Sequence, residues 1–361
     1  MTAPLPPHIA DFLAAHGAAG RPVHPLAGDA SKRRYLRVGG DDVGGNGGGH
    51  GGGHGGGNGR ESLVLMDAPR PDNESMAVFV AVTDWLRARG LSAPRVLAAD
   101  LDRGLLLLED LGDHLFARVL ASAGADEPAL YAAAVDLLPA VALDGAAAAP
   151  AGCGCYDAAA LLAEARLATD WYARGAGAPL TPDALAEYDA LVDAAMAPYA
   201  GAAQVLVLRD YHAENLLWLP SRAGEARVGL LDYQDALVGH PAYDLVSLLE
   251  DARRDVPPAL AEAMLARATA RLAVGERAGF RAAYAAFGAQ RNLKIVGIFA
   301  RLALRDGKPR YLALIPRVWG HLQGDLAAPG LAPLAAFVAR WLPAPTPPVL
   351  AAIAARAAQP A

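Results

Sequence analysis

The sequence is short of positive charge and nearly without lysine. Lysine and arginine together number 32 against 38 acidic residues, for a net charge of −6. Only Lys32, Lys294 and Lys308 are lysines. A nucleic-acid binder needs a basic footprint, so nucleic acid is excluded as the main partner, while a local basic pocket stays open. Cysteine is confined to Cys153 and Cys155 in "GCGCY". One intervening residue is too few for an ordinary disulfide, and two thiols do not make a zinc site. Free thiols in a reducing cytoplasm are the expectation. The opening "MTAPLPPHIADFLAAHG" has no basic segment leading into an apolar one. No apolar run reaches the ~18 residues of a membrane span; the best candidate, 131–152, is broken by Asp136, Pro139 and Asp144. A cytoplasmic protein without a membrane partner is expected.

What is present is apolar mass. The 361 residues are 54% hydrophobic, enough for a substantial core and two lobes. Residues 39–60 stand apart, holding 14 of the 38 glycines. Glycine loses the most backbone entropy on ordering and this stretch has nothing to bury, so a flexible loop insertion is expected. "RRYLRV" (33–38) and "SLVLMDA" (62–68) read as the two strands of a hairpin with that insertion at its tip. Residues 73–90 carry helical apolar spacing at Met76, Phe79, Val80, Val82 and Leu86 and stop at Gly90. "PRVLAAD" and "GLLLLEDLG" add two strands. From about residue 112 the chain turns alanine-rich, with helical periodicity over 157–175, 181–199 and 280–307. The fold class expected is α+β and bilobal: a small β-rich N-lobe over 1–111 and a larger helical C-lobe over 112–361.

Within the helical part, "LRDYHAENLLWL" (208–219) sets ionisable and amide groups between apolar runs. Asp210 precedes Asn215 by five residues, and Asp232 ends the apolar run of "GLLDYQD" 17 residues later. Singly, such residues make local turn hydrogen bonds. Together, in this order, they match what phosphoryl transfer from a nucleotide needs: one carboxylate to orient the acceptor hydroxyl and take its proton, and an amide oxygen with a second carboxylate to hold Mg²⁺.

"LRDYHAENLLWL" and "GLLDYQDALVGHPAYDLVSLL" resemble the aminoglycoside phosphotransferase-type, protein-kinase-like family. With "GDASKRRYLRV", "LVLMDAP", "VLAADLDRGLLLLEDLG" and "RNLKIVGIFARLALRDGKPRYL", the stretch from about 24 to 315 is similar to bacterial N-acetylmuramate/N-acetylglucosamine anomeric kinases of peptidoglycan recycling. The resemblance implies transfer from ATP, with Mg²⁺, to an amino sugar's anomeric hydroxyl. The sugar 1-phosphate would then pass to a uridylyltransferase on the way to UDP-N-acetylmuramate. It implies Asp210 as the base and Asn215 and Asp232 as Mg²⁺ ligands. "GDAS", through Gly28 and Ser31, would turn over the ATP phosphates, and the strand ending at Glu109 and Leu111 would run along the adenine. Asp244 in "HPAYDL" reads as a cap or a brace for the catalytic loop.

Three departures stand out. Met66 sits where a protein kinase keeps its phosphate lysine, so Arg33 and Arg34 are the candidate cations. Leu208 replaces the histidine that usually opens the catalytic loop, and the glycine insertion lengthens the first hairpin at small entropic cost. On the acceptor side Tyr211, Arg301, Arg305 and Arg310 are candidate sugar contacts, an arginine fork suiting a lactyl carboxylate. Trp171 and Tyr172 read as core before sugar platform. The rival readings are a kinase of another small hydroxyl acceptor, such as an aminoglycoside, choline or homoserine, and a nucleotide-binding protein without turnover.

Overall fold

The computed structural model describes residues 5–26, 33–39, 61–68, 76–143, 149–201 and 205–357. Gly28, Ser31 and nearly all of the glycine-rich insertion lie outside them. The chain forms two compact units.

The first unit comprises residues 1–114 with 150–152 and 219–235. Its helix α1 (Pro7–Ala15) is followed by strands β1 (Val23–Pro25), β2 (Arg34–Val38) and β3 (Leu63–Asp67), helix α2 (Met76–Ala88), and strands β4 (Val96–Asp100) and β5 (Leu105–Glu109). The strands form one antiparallel sheet in the order β1-β2-β3-β5-β4. The expected hairpin is β2–β3, in the register Arg34↔Asp67 to Val38↔Leu63. Strand β1 escaped the sequence reading. It has three residues and ends in proline, which lacks the ladder N–H and is confined to an edge. Ile9, Phe12 and Leu13 of α1 pack on Val38, Leu65, Leu105 and Leu107 of the sheet. Helix α2 ends as its sequence predicts: Gly90 adopts φ +76° and Leu91 N–H donates back to the Leu86 carbonyl.

The second unit is helical: α3 (Phe116–Leu120), α4 (Glu127–Leu137), α5 (Ala158–Ala165) and α6 (Pro182–Met196). Strands β6 (Val205–Val207) and β7 (Leu216–Trp218) follow; β8 (Val228–Leu230) returns to the first unit; β9 (Leu237–Gly239) pairs antiparallel with β6. The first unit takes in residues beyond 111 because Leu230 N–H donates to the Ser92 carbonyl and Ser92 Oγ donates to the Ala226 carbonyl. Helices α7 (Ala242–Leu249), α8 (Pro258–Thr269), α9 (Val274–Leu304), α10 (Ile315–Leu326), α11 (Ala332–Trp341) and α12 (Pro347–Ala357) complete it. Among the described residues no single helix is long and apolar enough to cross a membrane.

Helix α9 is the spine of this unit, and most of its residues between Ala283 and Ala303 are buried. The expected single helix over 157–175 is instead α5 followed by a π-helical turn, Ala168–Ala173. The widening falls beside the closest backbone approach: a Cβ on Gly297 of α9 would lie 2.1 Å from the Leu167 carbonyl carbon. Tyr172 in that turn is fully buried and donates to the Pro343 carbonyl (2.6 Å), in accord with its reading as core.

His240, just before α7, sits among Tyr199, Phe280 and Phe287. Its Nδ1 accepts from Ala242 N–H, and burial lowers its pKa to about 4. The unfolded chain, at about 6.5, takes up the proton first. The stabilisation is therefore full above pH 6.5 and is lost as pH falls toward 4. We expect roughly 2–4 kcal/mol of pH-dependent loss from this residue. Urea unfolding between pH 7.5 and 4.5 checks it: His240→Gln, which keeps an acceptor but no titration, should flatten the slope.

Candidate active site

The loop after β6 is built by its neighbours. Its backbone turns at Arg209, in the left-handed region at φ +69°. The Asp244 carboxylate on the first turn of α7 accepts both flanking amides, Leu208 N–H at 2.7 Å and Arg209 N–H at 2.8 Å. Ser247 Oγ donates to the Arg209 carbonyl and accepts from Arg291 Nη2. Burial pushes the Asp244 carboxyl up to about 7, against the pull of those two amides and of Arg291. Asp244 is thus the brace of the loop. Leu208, in the place of the usual histidine, is buried against this frame.

Asp210 follows the strained residue. Burial raises its carboxyl, but Lys294, His212, Arg291 and Arg209 together hold it below the usual carboxylate range. It is ionised at neutral pH and able to accept a proton. Asn215 Nδ2 donates to the Asp210 carbonyl at 3.0 Å, which fixes the amide's orientation and leaves Oδ1 as the acceptor for a cation. A cavity of about 110 Å³ opens beside Asp210, lined by His212, Asp251, Arg253, Arg291 and Lys294 on its polar side and Ile295, Ile298 and Phe299 on the apolar one.

The charges under the loop are compensated. Glu164 pairs with Arg209 and with Lys294 (2.9 Å), accepts from the Tyr156 hydroxyl, and Lys294 also donates to Tyr243. Burial raises Glu164, and Lys294 and Arg209 more than reverse this.

Asp232 belongs to the first unit, two residues after β8. It adopts φ +57°, and its Oδ1 accepts from Gln234 Nε2 at 2.8 Å. Its neighbour Tyr233 is pinned, stacked on Phe79 (5.0 Å) with its hydroxyl on Thr83 (2.8 Å). Among the described residues, Arg209 and Asp232 are the two non-glycine residues with positive φ. Such a conformation costs about 1–3 kcal/mol and persists where surrounding structure enforces it, often at functional sites.

The other expected residues fall out differently. The Glu109 side chain is taken by Arg87, Arg222 and the Arg95 amide, and its own N–H donates to the Arg95 carbonyl; Leu111 is at the edge of burial. Arg37, which the sequence reading passed over, clamps Asp110 (2.7 Å) and Asp113 (2.9 Å) beyond β5. Arg34 is paired to the buried Asp67, and Arg33 is half-buried at the start of β2. Tyr211, expected at the sugar, is 1% exposed and its hydroxyl is donated to the Ala134 carbonyl, so its position is corrected to scaffold. Arg301, Arg305 and Arg310 do not line the cavity at Asp210. Arg305 pairs with Asp306, Arg310 lies over the Tyr311 ring, and Arg301 has its Nε buried. The cations that do line it are Arg253, Arg291 and Lys294. None of these was among the acceptor-side candidates; a helical i, i+3 pairing of 291 with 294 was the signal available.

Residues 22–284 match the model of the phosphotransferase enzyme family, and the chain belongs to that family. Its fold is protein-kinase-like: 91% of the chain superposes on the structure of a gentamicin–APH(2")-IIa complex, covering 99% of that chain, with a TM-score of 0.59 at 12% identity. The macrolide 2'-phosphotransferase MphH of Brachybacterium faecium gives a TM-score of 0.52 at 18% identity, over 86% of this chain and 97% of that one. Nearer in sequence is the N-acetylmuramate/N-acetylglucosamine kinase of Caulobacter vibrioides, 41% identical over 93% of this chain and 96% of that protein. The protein of the same name from Pseudomonas aeruginosa is 37% identical over 87% of each.

Asp244→Ala would leave the buried Leu208 and Arg209 amides without an acceptor. At 1–3 kcal/mol for each such group, we expect a loss of about 2–5 kcal/mol in urea unfolding. A change under ~1 kcal/mol would contradict the bracing role.

Proposed function

We propose that this phosphotransferase transfers the γ-phosphoryl group of ATP to the anomeric hydroxyl of N-acetylmuramate or N-acetylglucosamine. The observation that carries the reading is the ionised Asp210 beside a cavity lined by Arg253, Arg291 and Lys294. The names of the Caulobacter and Pseudomonas relatives support the acceptor class. An aminoglycoside is a polycation and would call for acidic walls, so the three cations disfavour that reading.

Asp210 orients the anomeric hydroxyl and accepts its proton as the sugar oxygen attacks the γ-phosphorus. The bond from that phosphorus to the bridging oxygen breaks and ADP leaves. Asn215 Oδ1 and the Asp232 carboxylate are the hard oxygen donors that would hold Mg²⁺. The metal supplies charge neutralisation at the phosphates. Gly28 and Ser31 would bind those phosphates with Arg33, and the 109–111 backbone would face adenine, which makes the first unit the nucleotide-binding one and the second the sugar-binding one. Arg34 would give up Asp67 to join them. The sugar 1-phosphate product suits a uridylyltransferase as the next enzyme, in the cytoplasm, in cell-wall recycling.

Asp210→Asn keeps the shape and removes the base. ADP release with N-acetylmuramate or N-acetylglucosamine should slow by ~10²–10⁴-fold, with ATP affinity nearly unchanged. Wild-type turnover in that variant would sink the assignment.

A further inference from the structure

Among the described residues, the cavity beside Asp210 has one cation with no acid in hydrogen-bond contact. Of the three that line it, Lys294 pairs with Glu164 and Arg253 pairs with Glu214 at 2.9 Å. Arg291 is 5% exposed, yet its hydrogen bond through Nη2 goes to a neutral hydroxyl, Ser247 Oγ, and its Nη1 is buried with no partner. The nearby acids do not fill that need. Asp244 is spent on the Leu208 and Arg209 amides, and Asp210, on the sugar-kinase reading, is reserved for the acceptor hydroxyl. A buried guanidinium is costly until an anion meets it, and its fork matches a carboxylate.

Two further atoms around the same cavity are buried and unpartnered: Asp251 Oδ2 and His212 Nδ1. Asp251 Oδ1 is already used by Arg253 N–H, so the open oxygen is left to accept from a ligand O–H or N–H. The volume narrows the occupant. About 110 Å³ is well below the ~300–1,000 Å³ of pockets that enclose a whole ligand. The cavity therefore takes one arm of a substrate. Its lining describes that arm: an anion at Arg291 and a small apolar group against Ile295, Ile298 and Phe299.

We propose that this cavity is the carboxylate subsite of the enzyme, with Arg291 as the specificity-determining residue that receives the lactyl arm of an acidic amino sugar. The arm's carboxylate meets Nη1 of Arg291, and its methyl group meets the isoleucines. Lys294, three residues on along the same face of α9, adds a second positive charge while staying paired to Glu164. The identity of the arm rests on the sugar-kinase reading above; the anion preference of the cavity does not.

The test is calorimetric binding without nucleotide, of N-acetylmuramate and of its carboxamide, which has the same shape and no charge. Wild type should bind the acid ~10–100-fold more tightly, the range of a charge-assisted hydrogen bond, and Arg291→Gln should erase the difference. Equal binding of acid and amide by wild type, or binding of neither, overturns the proposal with no variant needed. So does a preference that survives Arg291→Gln. A wild type that prefers the acid but phosphorylates neither amino sugar keeps this subsite and loses the kinase reading. One that phosphorylates both sugars with no preference for the acid does the reverse.

Discussion

Two short hydrogen bonds, from the Leu208 and Arg209 amides into the Asp244 carboxylate, are the constraint on which the site depends. They hold a non-glycine residue at positive φ immediately before Asp210. The cost of that backbone is offset by a layered frame: Asp244 and Ser247 on α7 grip the loop, and Arg291 on α9 grips Ser247. Each layer belongs to a helix buried in the core, so Asp210 is aimed by packing and not by its own side-chain preferences. Release Asp244 and the strained turn loses both amide bonds and keeps the Ser247 bond to the Arg209 carbonyl.

The same frame sets the charge of the site. Glu164 sits beneath the loop with Arg209 and Lys294 around it, so the buried charges offset one another. The surplus of positive groups near Asp210 keeps that carboxyl ionised in a position where burial alone would protonate it. Deeper in the same unit the balance tips the other way. Burial and the neighbouring Glu250 drive the Asp325 carboxyl well above its ordinary range, and Asn292 bonds to both acids. The contrast shows how one core holds an ionised carboxylate, Asp210, and a carboxyl pushed toward its neutral form, Asp325: the number of cations differs, not the depth of burial.

Much of this was legible in the chain. The strands announced themselves because alternation and turn formers are local signals, and β2 and β3 differ from their expected bounds by a residue or so. Asp210, Asn215 and Asp232 were legible as a spaced set, and Asp244 as a brace, because a loop between apolar strands has few reasons to carry so many polar groups. Strand β1 was not legible, since three residues ending in proline carry no periodicity. The arginines expected at the acceptor, Arg301, Arg305 and Arg310, lie away from the cavity at Asp210. Arg301 lies ten residues beyond Arg291, about 15 Å along a helix at 1.5 Å per residue. The face that lines the cavity at Asp210 (291, 294, 295 and 298) mixes two cations with two isoleucines, and neither charge density nor hydrophobicity marks such a stripe. A tyrosine beside Asp210 looks like a substrate contact until α4 is seen to take its hydroxyl.

The position of the transferred phosphate tests the account most directly. A phosphorus NMR spectrum of the protein with ATP, Mg²⁺ and N-acetylmuramate should show a new sugar-phosphate signal coupled to the anomeric proton, with ADP growing in step. A phosphate coupled to any other sugar proton, or ATP left intact beside the sugar, would contradict it.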